Sequence, residues 1–240
     1  MTFTQRLRAW YDELRHTGPG LIALAVVGIL NWIVSDVLSF TTIVSELNID
    51  VSGFSLVYRT LLPEFGLFGV MFVIAFVCWL FDWDRLTRII FFIANGIATF
   101  NVCNYVLDLL LSLTRREGNR DAALLLVDAV LVWAMNLIVF TIWLWMLDRG
   151  GADRRGTPSE ARPELLFPQH QAPAPGWEAW QPGFIDYLYA AFGSSTSLGP
   201  NDTLIMSRRF KVLSMLQTIN SLAVIALIAA RAIGLFTATH

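Results

Sequence analysis

Apolar residues in this chain come in long unbroken runs, separated by short charged turns. The runs cover about 21–44, 65–81, 89–113, 122–147 and 210–236. Crossing the hydrocarbon core of a bilayer takes about 20 apolar residues of helix, and runs of this length read as spans. The pattern predicts an all-α polytopic transmembrane bundle of five spans. Residues 1–17 precede it, with Phe3, Leu7, Trp10, Tyr11 and Leu14 recurring at helical spacing among Arg6, Arg8, Asp12, Glu13 and Arg15, as in an amphipathic helix lying along the membrane surface. Gly18-Pro19-Gly20 ends that segment, and residues 18–147 then hold four spans. A polar stretch, 45–64, closed by Pro63, follows the first span. Asp82, Asp84, Arg85 and Arg88 turn the chain after the second, and Arg115, Arg116, Glu117, Arg120 and Asp121 after the third.

The pattern changes at residues 148–183. Pro158, Pro163, Pro168, Pro173, Pro175 and Pro182 fall there, six of the chain's nine prolines. Proline removes a backbone donor and clashes with the preceding helical turn, so this linker holds no long helix. Phe167, Trp177 and Trp180 keep it at headgroup level. Residues 184–240 come next. They comprise an apolar run, 184–192, too short to span, a polar loop, 193–202, and the last span. Short helix, loop and full span make the pattern of a re-entrant element. The other reading is a half-helix flat on the surface.

Composition agrees with the pattern. Hydrophobic residues make up 55% and charged residues 15% of the 240, and the mean hydropathy is +0.57, against about 25% charged in soluble domains. The net charge of −2 gives nucleic acid no electrostatic footprint. Cys78 and Cys103 lie inside apolar runs and read as buried free thiols. His16, His170 and His240 are too scattered to ligate a metal. With no nucleophile–base pattern and no phosphate loop, the chain is not expected to be an enzyme or to carry a cofactor. A multi-pass protein of the inner cell membrane is expected, with the lipid bilayer as its first partner.

Polar residues inside the apolar runs are the candidate functional groups. Asp36, Asp108 and Asp128 fall in one leaflet of the five-span arrangement, and intramembrane acids mark ion or proton sites or buried pairs. Asn101, Asn104 and Asp108 share one helical face. Ser214, Gln217, Thr218, Asn220 and Ser221 form a polar patch on the last span, suited to lining a pore or to joining helices. Trp32, Trp79, Trp83, Trp133, Trp143 and Trp145 read as interface anchors.

Asp186-Tyr187-Leu188-Tyr189, then Ser194 through Asp202, then Lys211, Leu213, Leu216, Gln217 and Ala229-Ala230-Arg231 resemble the pore region of two-helix potassium-channel-type modules. With Trp143-Leu144-Trp145 and Asp148-Arg149-Gly150-Gly151, the last 95 or so residues are similar to a bacterial polytopic membrane-protein family with such an ending. The resemblance implies a pore loop at Thr196, Ser197, Leu198, Gly199 and Asp202, a monovalent cation as cargo, and a homo-oligomer around the pore. The loop departs from the potassium filter pattern Thr-Val-Gly-Tyr-Gly-Asp. One residue is added, and Pro200 stands where the filter needs conformational freedom. Orientation adds a conflict. With the N-terminus inside, 12 of the 17 Lys and Arg fall on the cytoplasmic side, the favoured bias, yet the loop then faces the cytoplasm, whereas a potassium filter faces out. The expected function is ion-channel-like, the alternatives being a non-conducting scaffold or accessory subunit and, more weakly, a transporter using the three acids.

Overall fold

A computed structural model of the chain describes residues 22–31, 66–81, 83–114, 122–151, 161–171, 175–177, 180–196 and 202–238. The protein is mostly helical. Among the described residues the helices are α1 (Ile22–Asn31), then α2 (Gly66–Leu80), α3 (Asp84–Thr114), α4 (Ala122–Leu147), α5 (Pro168–Gln171), α6 (Phe184–Thr196) and α7 (Arg208–Ala238). Three stretches of the described residues are long and apolar enough to cross a membrane: Arg85–Leu111, Leu126–Gly150 and Arg208–Ala230. They match the third, fourth and fifth expected spans. The first two expected spans coincide with α1 and α2, whose described lengths fall short of the roughly 20 residues a crossing takes.

The chain divides into two compact units. One holds Leu24–Asn136 and Asn220–His240, the other Met1–Ala23 and Leu137–Ile219. In the first, α2 and α3 form a helical hairpin with a tight turn, in which Trp83 N donates to Cys78 O at 2.9 Å. The buried stripe of α3 runs through Ala94, Ala98, Val102, Tyr105 and Leu109 at helical spacing, while Ile89, Ile93, Phe100 and Leu107 are exposed. A helix apolar on its outer face as well as its inner one suits a membrane span or the core of a larger assembly, and α3 has the length for a span. The buried groups include amides. Asn136 Nδ2 donates to Ser221 Oγ at 2.8 Å, and Asn220 Nδ2 reaches Asn136 Oδ1 at 3.4 Å and Cys103 Sγ at 3.6 Å. A second knot joins α1 to α3: Asn101 Nδ2 and Tyr105 Oη both donate to Asn31 Oδ1. Cys78 and Cys103 are free thiols.

The second unit adds one detail to the expectation and departs from it at one residue. In the described part of the proline-rich linker, Leu165–Leu166 (β1) pairs antiparallel with Leu204–Ile205 (β2). Leu165 and Phe167 are buried there. Two residues of extended backbone suffice, so proline density, which forbids helix, does not forbid this pairing. Trp145 is buried and meets Phe184 edge-on at 6.0 Å. It packs as a core residue, correcting its expected place as an interface anchor.

The node at Asn136 predicts an asymmetry between two asparagines. Asn136→Ala should cost about 1 kcal/mol of unfolding free energy, since it removes two interhelical bonds. Among the described residues Asn104 bonds only to Phe100 O of its own helix, so Asn104→Ala should cost less than half as much. Denaturation of the purified protein in mixed micelles reads both, and equal losses would contradict the node.

Candidate functional site

The second unit is organised around the end of α4. Leu147 is the last α-helical residue, and Asp148–Gly150 make a single 3-10 turn. Arg149 takes φ 56°, Gly150 φ 83° and Gly151 φ 118°. Three successive left-handed residues reverse the chain, and two of them are glycines because a Cβ is disfavoured there. A carboxylate at a helix C-terminus faces the negative end of the dipole, so Asp148 has to find donors elsewhere. It finds three. Glu164 N and Leu165 N donate to Oδ1 at 2.7 and 3.2 Å, and Tyr187 Oη donates to Oδ2 at 2.7 Å. The side chain is fully buried, with Arg149 Nε at 3.6 Å. One carboxylate thereby ties the end of α4 to the start of β1 and to the first turn of α6.

Arg149 is buried beside it and continues the network outward. Its guanidinium lies 3.0 Å from His170 Nε2. The same guanidinium nitrogen lies 3.4 Å from His170 Nδ1, so the guanidinium sits against the edge of the ring that carries both nitrogens. His170 meets Trp180 edge-on at 5.0 Å, and Phe167 meets Trp180 and Tyr187 at 5.6 and 5.4 Å. Glu164 accepts from Ser207 Oγ at 2.6 Å and pairs with Arg209, which also donates to Leu147 O. The ends of α4 and β1 and the start of α7 therefore meet at one level.

From that level α6 runs alongside α7. It begins at Gly183, whose N–H donates to Asp186 Oδ2 at 2.7 Å, one half of a capping box. Its far end is held by α7. Gln217 Nε2 donates to Ala191 O at 2.9 Å and Ser195 Oγ at 2.7 Å, and Thr218 Oγ1 donates to Ser194 O at 3.0 Å. Gln217 is nine residues past Arg208, or about 14 Å along the axis. The chain is then back at the starting level by residues 202–206. There Gln171 Nε2 contacts Asp202 O at 3.5 Å, and Met206 N donates to Glu164 O at 2.8 Å.

The pore-lining candidates of α7 thus have protein partners: Gln217 and Thr218 on α6, Asn220 and Ser221 at the Asn136 node. Ser214 is half-buried. Among the pore-loop candidates, Thr196 closes α6 and donates to Phe192 O, and Asp202 is exposed. Ser197, Leu198 and Gly199 lie outside the described residues, as does Asp36. Asp108 and Asp128 are buried, on α3 and α4. Sequence reasoning missed Asn136 and the partnership of Asp148 with Tyr187. A lone amide in the run 122–147, and an acid followed by two glycines at its end, were the signals available.

No protein-family model matches the chain, and neither does any curated protein or solved structure. The functional reading therefore stands on geometry and sequence.

The carboxylate node predicts a graded series. Tyr187→Phe removes one bond to a charge and should cost about 1.5–3 kcal/mol. Asp148→Ala removes one partner of a buried ion pair together with the acceptor of three hydrogen bonds, and should cost about 3–5 kcal/mol. Gly151→Ala, forced to φ 118°, should cost about 1–3 kcal/mol. Thermal unfolding in detergent ranks the three, and a Tyr187→Phe protein as stable as wild type would remove the phenol from the node.

Proposed function

We propose that this chain is a five-span membrane protein of the inner cell membrane whose segment 184–205 dips into the bilayer and returns, forming an ion-channel-like pore loop. The observation that carries the reading is the bonding of Gln217 and Thr218 to the last two turns of α6. If Arg208–Ala230 crosses a core about 30 Å thick, a partner about 14 Å along it lies near the midplane. A half-helix ending there turns the negative end of its dipole and its last carbonyls toward the membrane centre, the arrangement that favours a cation. Irregular backbone at that depth is tolerated where protein buries it or a watery cavity meets it. Several copies around an axis would supply such a cavity, so a homo-oligomer belongs to the reading. Its cargo is a monovalent cation.

A second reading has its own support. Gln217, Thr218, Asn220 and Ser221 are all engaged by protein groups, as expected when polar residues glue helices together. On that reading the chain is a non-conducting scaffold or accessory subunit.

Flux separates the two. Purified protein in liposomes under a potassium or sodium gradient should pass ions well above the protein-free level. Thr196→Val and Gly199→Ala should alter that flux without changing recovery of the folded protein. Flux at the protein-free level from well-folded protein would leave the scaffold reading standing.

A further inference from the structure

The outward face of α7 begins with charge and continues as hydrocarbon. Arg208, Lys211, Val212, Met215 and Ile219 fall at helical spacing on that face, and all five are exposed. Three cations crowd into four residues here, Arg208, Arg209 and Lys211. Glu164 pairs with Arg209, while Arg208 and Lys211 pair with no carboxylate among the described residues. Below the two cations the face is apolar for a further two turns.

We infer that this face binds an anionic phospholipid of the leaflet in which α7 begins, with its phosphate between Arg208 and Lys211 and an acyl chain along Val212, Met215 and Ile219. Charge selects the headgroup. Two cations with no carboxylate beside them among the described residues favour a lipid with net negative charge over a zwitterionic one, which brings a cation of its own. Length selects lipid over a soluble anion, because the apolar stripe continues from the charged end without a break. A second copy docking on itself through this face would bring like charges together, which disfavours that occupant. The inference rests on α7 crossing the membrane and not on whether ions pass.

Native mass spectrometry of the full chain, released from detergent with phosphatidylglycerol or phosphatidylcholine added, tests it. Wild type should retain phosphatidylglycerol in preference to phosphatidylcholine. The double variant Arg208→Gln/Lys211→Gln should lose about thirtyfold in affinity for the anionic lipid, with no change for the zwitterionic one. The charge-preserving pair Arg208→Lys/Lys211→Arg should retain the preference, separating charge from any loss of fold. Equal retention of the two lipids by wild type, or undiminished phosphatidylglycerol on the double glutamine variant, would overturn the inference. So would soluble glycerophosphoglycerol competing as well as the intact lipid, since the acyl chain would then contribute nothing. Recovery of the chain outside the membrane fraction would overturn the spanning reading beneath it.

Discussion

A fully buried carboxylate at the end of a helix has to be answered by donors, and the second unit is arranged around the answer to Asp148. Moving such a charge from water costs several kcal/mol even after relaxation. The backbone N–H groups of Glu164 and Leu165 and the Tyr187 hydroxyl offset that cost through charge-assisted bonds. Because the donors lie 16, 17 and 39 residues downstream, satisfying one group draws the linker and α6 back onto the end of α4. The β1–β2 pair and the Glu164–Arg209 bridge then hold the start of α7 at the same level. The position of α6 beside α7 follows from this anchoring at one end and from Gln217 and Thr218 at the other.

The distribution of polarity carries the same logic. On α7 the buried side holds Gln217, Asn220 and Ser221, and the exposed side holds Val212, Met215, Ile219 and Leu222. Water would favour the reverse. With lipid outside, the apolar face costs nothing and inward amides find one another, as Asn136, Asn220 and Ser221 do. Polar groups at depth here act as structural glue first, and any conducting role has to be built with groups already bonded.

Much of the fold was legible in the sequence, because the runs 89–113, 122–147 and 210–236 are set by the thickness of a hydrocarbon layer, which composition reports directly. The linker was harder to read. Proline density announces the absence of helix but is silent on a two-residue strand pair whose partner lies some 40 residues away. The polar patch on α7 was visible by spacing, yet its partners were not, since nothing in Gln217 or Thr218 specifies Ala191, Ser194 and Ser195 as acceptors. Asn136 hid among apolar neighbours for the same reason. A single amide has no period.

The central claim is that α6 descends into the bilayer beside α7 instead of lying along its surface. Ile185 and Phe192, both on the outer side of α6, are 70% and 43% exposed, so a spin label at either position replaces an exposed side chain. Placed one at a time in a background lacking Cys78 and Cys103, the labels report depth through their accessibility to oxygen and to a polar nickel chelate. Seven residues of helix separate the two positions, so descent predicts a label at Phe192 deeper than one at Ile185 by up to about 10 Å, inside the hydrocarbon. Equal depths at the headgroup level would mean that α6 lies flat, and the re-entrant account would fail.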